Sequence, residues 1–80
     1  MNVRKWIISW FENNSGLSSQ ELERVSSESY FELELIDSFS FITLMSDLEQ
    51  EFGIELDNEE FLDRSFSTID GLEAIIERHI

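Results

Sequence analysis

The sequence predicts an all-α chain with three main helices, a short third helix before the last of them, and a long first loop. Apolar residues recur at a helical period near the start, the middle and the end of the chain. Only one short stretch alternates as a strand would, and a lone strand has no partner with which to form a sheet. Eighty residues make a single domain, 1–80, with a small core. With no cysteine there is neither a disulfide nor a zinc site to brace it, so helix packing must hold the fold.

Val3, Trp6, Ile7, Trp10 and Phe11 fall at i, i+3, i+4, i+7 and i+8, one face of a first helix. Asn13-Asn14-Ser15-Gly16 ends it, with Gly16 or an Asn suited to a left-handed cap. Ser18 and Glu21 have capping-box spacing, with Leu17 and Leu22 at the staple positions, so a short helix is expected from about Ser19 to Val25. The polar run Ser26-Ser27-Glu28-Ser29 reads as loop. Tyr30-Phe31-Glu32-Leu33-Glu34-Leu35 then alternates apolar and acidic residues. Without a partner strand it is expected to be an extended connector, pinned to the helices by Phe31, Leu33 and Leu35.

From Ser38 the period becomes helical again. Phe41, Leu44, Met45, Leu48 and Phe52 share about 100° of arc, Asp37 is the expected N-cap, and Gly53 closes the helix. Phe39 and Ile42 lie off this stripe, either against the connector or exposed beside Ser38. After the short link Ile54-Glu55-Leu56, Asp57-Asn58-Glu59-Glu60-Phe61-Leu62 reads as one helical turn. Ser67 is expected to cap the last helix, with Asp70 as a weaker capping-box partner. Ile69, Leu72, Ile76 and Ile80 form its expected buried face, with Ile75 flanking.

Eighteen acids against five basic residues give a net charge of −13. Nucleic acid and anionic lipid are poor partners for such a chain, because phosphate binding needs clustered cations. A basic protein surface is the natural complement, as is simple solubility. The apolar run after Arg4-Lys5 is too short and too soon interrupted for a signal peptide or a membrane span, so a cytoplasmic protein is expected.

No phosphate loop, metalloprotease motif or nucleophile elbow is present, and no catalytic residue is assigned. His79 is the sole histidine and lies near the chain end. The acid cluster 57–60 lacks EF-hand spacing, and no metal site is assigned. What remains is Ser38, a hydroxyl where a helix starts. Capping is the ordinary reading of such a serine. The functional reading is covalent attachment of a phosphate group, which would face free backbone N–H groups and the positive end of the helix dipole.

Leu35-Ile36-Asp37-Ser38-Phe39 resembles the phosphopantetheine-attachment motif of acyl carrier proteins. Residues 44–54 are similar to that family's second helix and its exit, and residues 57–61 and 66–69 to its short third helix and the start of its fourth. The resemblance runs from Phe31 nearly to the end, and the first helix fits in length and place. It implies a four-helix bundle and a stand-alone, monomeric carrier with no enzymatic activity of its own. Acyl intermediates would be held as thioesters on a 4′-phosphopantetheine arm at Ser38, beside the motif residue Asp37. A phosphopantetheinyl transferase would install the arm. Acyl-loading and acyl-transferring enzymes with basic docking surfaces would use it, recognising Phe39, Ile42, Asp47 and Glu49.

The chain departs from the fatty-acid-synthesis pattern in four places. Ser40 and Thr43 stand where those carriers have acids, Phe39 replaces the commoner Leu, and Glu34 stands where many members have Gly. The Ile-Asp-Ser-Phe form looks more like discrete carriers of specialised pathways. An aminoacyl or peptidyl carrier is the alternative within this class. An unmodified acidic interaction module is the alternative outside it.

Overall fold

The computed structural model describes residues 2–56 and 64–80. Its described regular structure is helical: α1 (Val3–Ser15), α2 (Ser19–Arg24), α3 (Ser38–Phe52) and α4 (Ile69–His79), with a 3₁₀ turn at Arg64–Ser67. The short helix expected over 57–62, with its acid cluster, lies outside the described residues.

Each α-helix starts where a side chain can take an otherwise orphaned N–H. Asn2 accepts from the Lys5 amide at the head of α1. Ser18 and Glu21 form the expected capping box on α2. Asp37 caps α3, as the sequence suggested. The last helix is capped by Thr68 instead of Ser67: Thr68 is extended, and its Oγ1 accepts the Gly71 N–H at 2.9 Å. Ser67 belongs to the preceding 3₁₀ turn, where its carbonyl accepts the Tyr30 N–H at 2.9 Å. Gly16 and Gly53 end α1 and α3 with φ of 80° and 64°, the left-handed conformation that glycine adopts at little cost.

The core is one cluster. Ile7 and Phe11 of α1, Leu22 of α2, Leu44 and Leu48 of α3 and Ile69, Leu72, Ile75 and Ile76 of α4 are almost fully enclosed. Ile75 belongs to this core, not to its flank, whereas Ile80 lies beyond the helix end and is exposed. α4 packs on α1 and on the 3₁₀ turn, and α2 packs on α1. Long side chains tie α3 to the rest. Trp6 meets Phe52 edge-on at 5.4 Å, and Phe41 meets Phe66 at 6.1 Å.

Residues 30–35 are coiled into turns and not extended. With no strand among the described residues to pair with, the backbone satisfies itself locally: the Leu33 N–H donates to the Ser29 carbonyl, Glu34 to Phe31 and Leu35 to Tyr30, at 3.0–3.1 Å. Coiling also changes which side chains anchor the segment. Tyr30 and Ile36 are buried and Leu35 is half-buried, while Phe31 and Leu33 sit at the surface. Phe31 keeps one grip on the bundle through Phe41, 5.1 Å between ring centres. Tyr30 fastens the loop to the end of the 3₁₀ turn, since its hydroxyl donates to the Phe66 carbonyl and its N–H to Ser67.

Candidate attachment site at the start of α3

Asp37 has extended backbone angles, which turn its side chain back over the first turn of α3. Its Oδ1 accepts the Ser40 N–H at 2.8 Å. That bond, with weaker ones from the Ser40 side chain and the Phe39 N–H, holds the exposed carboxyl below the usual carboxylate range. Its carbonyl meanwhile accepts the Phe41 N–H and starts the helical ladder.

Ser38 is the first helical residue and is exposed. Its hydroxyl has no hydrogen-bond partner among the described residues. The sequence suggested free amides for a phosphate at this point. The structure modifies that expectation: Asp37 already occupies the Ser40 amide and places a negative charge in the same turn. A phosphodiester on Ser38 would share the helix end with this carboxylate and point outward. An unencumbered, exposed hydroxyl suits a covalent tether of that kind. Beside it an open groove of about 430 Å³ is lined by Phe31, Glu34, Leu35, Ile36, Asp37 and Ser40.

Phe39 is 82% and Ile42 63% exposed, so neither packs against the connector. Asp47 and Glu49 are half-buried and engaged within the fold. The Trp10 Nε1–H donates to Asp47 at 2.8 Å, and the Leu56 N–H donates to a Glu49 carboxylate oxygen at 3.0 Å. Asp47 and Glu49 therefore stand apart from Phe39 and Ile42 in how freely they can be reached. Leu35, named from the sequence as an anchor of this segment, does pack against the core, but sequence reasoning missed Tyr30 and Ile36, which are buried. Their signal was size and apolarity immediately before the motif, masked by the false strand period.

His79 is exposed at the end of α4. Among the described residues there is no group of side chains that could hold a metal ion. No described helix is long and apolar enough to cross a membrane.

Residues 7–76, which include this site, match the family described as the phosphopantetheine attachment site. The chain is 37% identical over 62 residues to an acyl carrier protein homolog of Mycoplasmopsis pulmonis, a match covering 78% of this chain and 77% of that protein. No solved structure matches it. Proteins of this family are carriers and not enzymes, and their cofactor is 4′-phosphopantetheine. With the family matched across most of its length and a relative at this level of identity, the chain belongs to the acyl carrier proteins of the phosphopantetheine-attachment family.

Proposed function

We propose that Ser38 carries the 4′-phosphopantetheine arm, and that this cytoplasmic, monomeric carrier delivers acyl groups to partner enzymes of a fatty-acid, polyketide or related specialised pathway. The observation that supports this best is the Ser38 hydroxyl itself: exposed, unbonded among the described residues, and fixed at the first position of a 15-residue helix. The arm supplies the terminal thiol on which acyl groups are held as thioesters, so a chain without cysteine can serve.

The chain's own part in loading is positional. Asp37 fixes the start of α3 and so fixes where the hydroxyl points. Its carboxylate accepts the Ser40 N–H and has no hydrogen bond to the Ser38 hydroxyl, so we assign the base that takes the Ser38 proton to the transferase. The Ser38 Oγ–phosphorus bond forms as the pyrophosphate bond of coenzyme A breaks, and adenosine 3′,5′-bisphosphate leaves.

Incubation with coenzyme A and a promiscuous phosphopantetheinyl transferase is expected to add one phosphopantetheine, read by intact mass, and Ser38→Ala to abolish the addition. An unmodified wild-type chain, or addition to the Ser38→Ala chain, overturns the proposal.

A further inference from the structure

Just ahead of Ser38 the chain reverses at Glu34, whose φ of 58° is left-handed. The Glu34 N–H donates to Phe31 and the Leu35 N–H to Tyr30, which closes the turn. This loop contributes Phe31, Glu34, Leu35 and Ile36 to the open groove beside Ser38, and the head of α3 contributes Asp37 and Ser40. At about 430 Å³ the groove is in the size range of sites for small organic molecules.

Its lining is of two kinds. Phe31, Leu35 and Ile36 are apolar, and Phe31 is the most open of them at 39% exposed. The Glu34 carboxylate is exposed and accepts no hydrogen bond among the described residues. Asp37 stays ionised, with one oxygen already taken by the Ser40 amide. No basic side chain is among the described residues that line the groove. Such a surface takes apolar groups and hydrogen-bond donors and repels anions.

The phosphopantetheine arm presents those groups in a matching order. Its phosphate is anionic and stays outside, at Ser38. Beyond the phosphate the arm is uncharged: a gem-dimethyl group comes first, then a hydroxyl and an amide N–H, and last a second amide and the thiol. We propose that the groove is the resting place of the segment next to the phosphate, with the gem-dimethyl group on Phe31 and Leu35 and a donor of the arm on Glu34. This rests on attachment at Ser38 as proposed above. The tether decides the occupant. A short flexible link holds its far group at an effective concentration of about millimolar, so a contact too weak to capture free pantetheine is populated once the arm is attached. The thiol end remains free for partner enzymes.

Two-dimensional NMR of the chain before and after modification with coenzyme A and a promiscuous transferase tests this. The gem-dimethyl signals of the arm are expected upfield of their positions in free pantetheine, displaced by the Phe31 ring, with through-space cross-peaks to that ring. Backbone amide shifts are expected at Phe31, Glu34 and Leu35 as well as around Ser38. Free pantetheine added to the unmodified chain at equal concentration is expected to cause none of these changes. Phe31→Ala is expected to abolish the upfield displacement. Glu34→Ala, at an exposed side chain, is expected to move the signals most of the way back to their free positions without lowering the melting temperature.

Gem-dimethyl signals at their free positions, with amide shifts confined to residues 37–39, overturn the proposal. Cross-peaks to Phe39 or Ile42 in place of Phe31 also overturn it, as does displacement that survives Glu34→Ala unchanged. Should Phe31→Ala not fold, the wild-type cross-peaks and the Glu34→Ala chain still decide. A wild-type chain that gains no mass overturns attachment itself, so intact mass separates that failure from an arm that is attached but lies elsewhere.

Discussion

The indole of Trp10 on α1 donates to the carboxylate of Asp47 on α3 at 2.8 Å. Trp10 is buried and Asp47 half-buried, so the bond joins two helices at a point where water competes poorly. Asp47→Ala leaves the indole N–H without its acceptor and is expected to destabilise the fold by about 1–3 kcal/mol. For a domain of this size each kcal/mol corresponds to about 4–8 °C in melting temperature. Asp47→Asn retains an acceptor oxygen and is expected to lose less than half as much. Thermal melts followed by tryptophan fluorescence check both, and equal losses for the two variants would show that the bond contributes nothing.

Glu34 sits in the left-handed region with φ 58°, the one described residue other than glycine to do so. A side chain there costs about 1–2 kcal/mol in contact between Cβ and the backbone, a cost that glycine avoids. Glycine would therefore suit this position better than Glu. Glu34→Gly is expected to stabilise the chain by about 1 kcal/mol, after the extra freedom of glycine in the unfolded state is set against the relieved strain. Chemical denaturation, read as a higher midpoint at constant slope, checks it.

Arg4 ties three helices together. Its guanidinium reaches Glu23 at 2.9 Å, Asp70 at 2.7 Å and Glu73 at 3.1 Å, joining α1 to α2 and α4. Hydrogen bonds donated to Glu23 and Asp70 push the guanidinium pKa further up, and Arg4 in turn holds the Asp70 carboxyl below its usual range. The acids are partly exposed, so each pair contributes only about 0.2–1 kcal/mol. Arg4→Gln is expected to cost about 1–2 kcal/mol in total and to recover part of that in added salt, which screens three carboxylates left without a cation. Because the folded pKa of Asp70 is lowered, its contribution is present above the unfolded value of about 3.9 and fades as pH falls through the folded value. Acid titration of stability below about pH 4 should therefore be shallower in Arg4→Gln than in the wild type.

The helices were legible because each announces itself twice, in an apolar stripe and in a cap: Val3 to Phe11 before Gly16, the Ser18–Glu21 box, and Asp37 before the stripe from Phe41 to Phe52. The place of Ser38 at the head of α3 was legible for the same reason, since the capping Asp37 sets where the helix begins. The loop was not. Residues 30–35 alternate like a strand, but with no partner the backbone closed on itself, and the residues that anchor it became Tyr30 and Ile36. Nor does helical periodicity mark Asp47 as the acceptor for Trp10, because that bond depends on how two helices are placed and not on either helix alone. The same limit applies at Thr68, one residue past the expected cap: Ser67 ends the 3₁₀ turn, and where that turn stops is not written in the helical stripe.

Tyr30 is the sole tyrosine, so its ionisation can be followed without interference. Its ring lies 5.1 Å from Phe11 and 4.9 Å from Phe31, and its O–H donates to the Phe66 carbonyl. Burial pushes the phenol pKa well above its ordinary value. The folded state thus keeps the proton at a pH where the unfolded chain has released it. Stability from this source is complete below the unfolded value of about 10, and is lost as pH rises through the higher folded value, at about 1.4 kcal/mol per unit. The near-ultraviolet absorbance of tyrosinate is therefore expected to appear later than in a free tyrosine, and together with loss of the helical circular dichroism. Tyr30→Phe forgoes the bond to Phe66 and is expected to be less stable at neutral pH, but to lack this alkaline step. Ionisation near pH 10 with the helices intact would mean that the phenol is open to water, and that the loop before Ser38 is not fastened at Phe66.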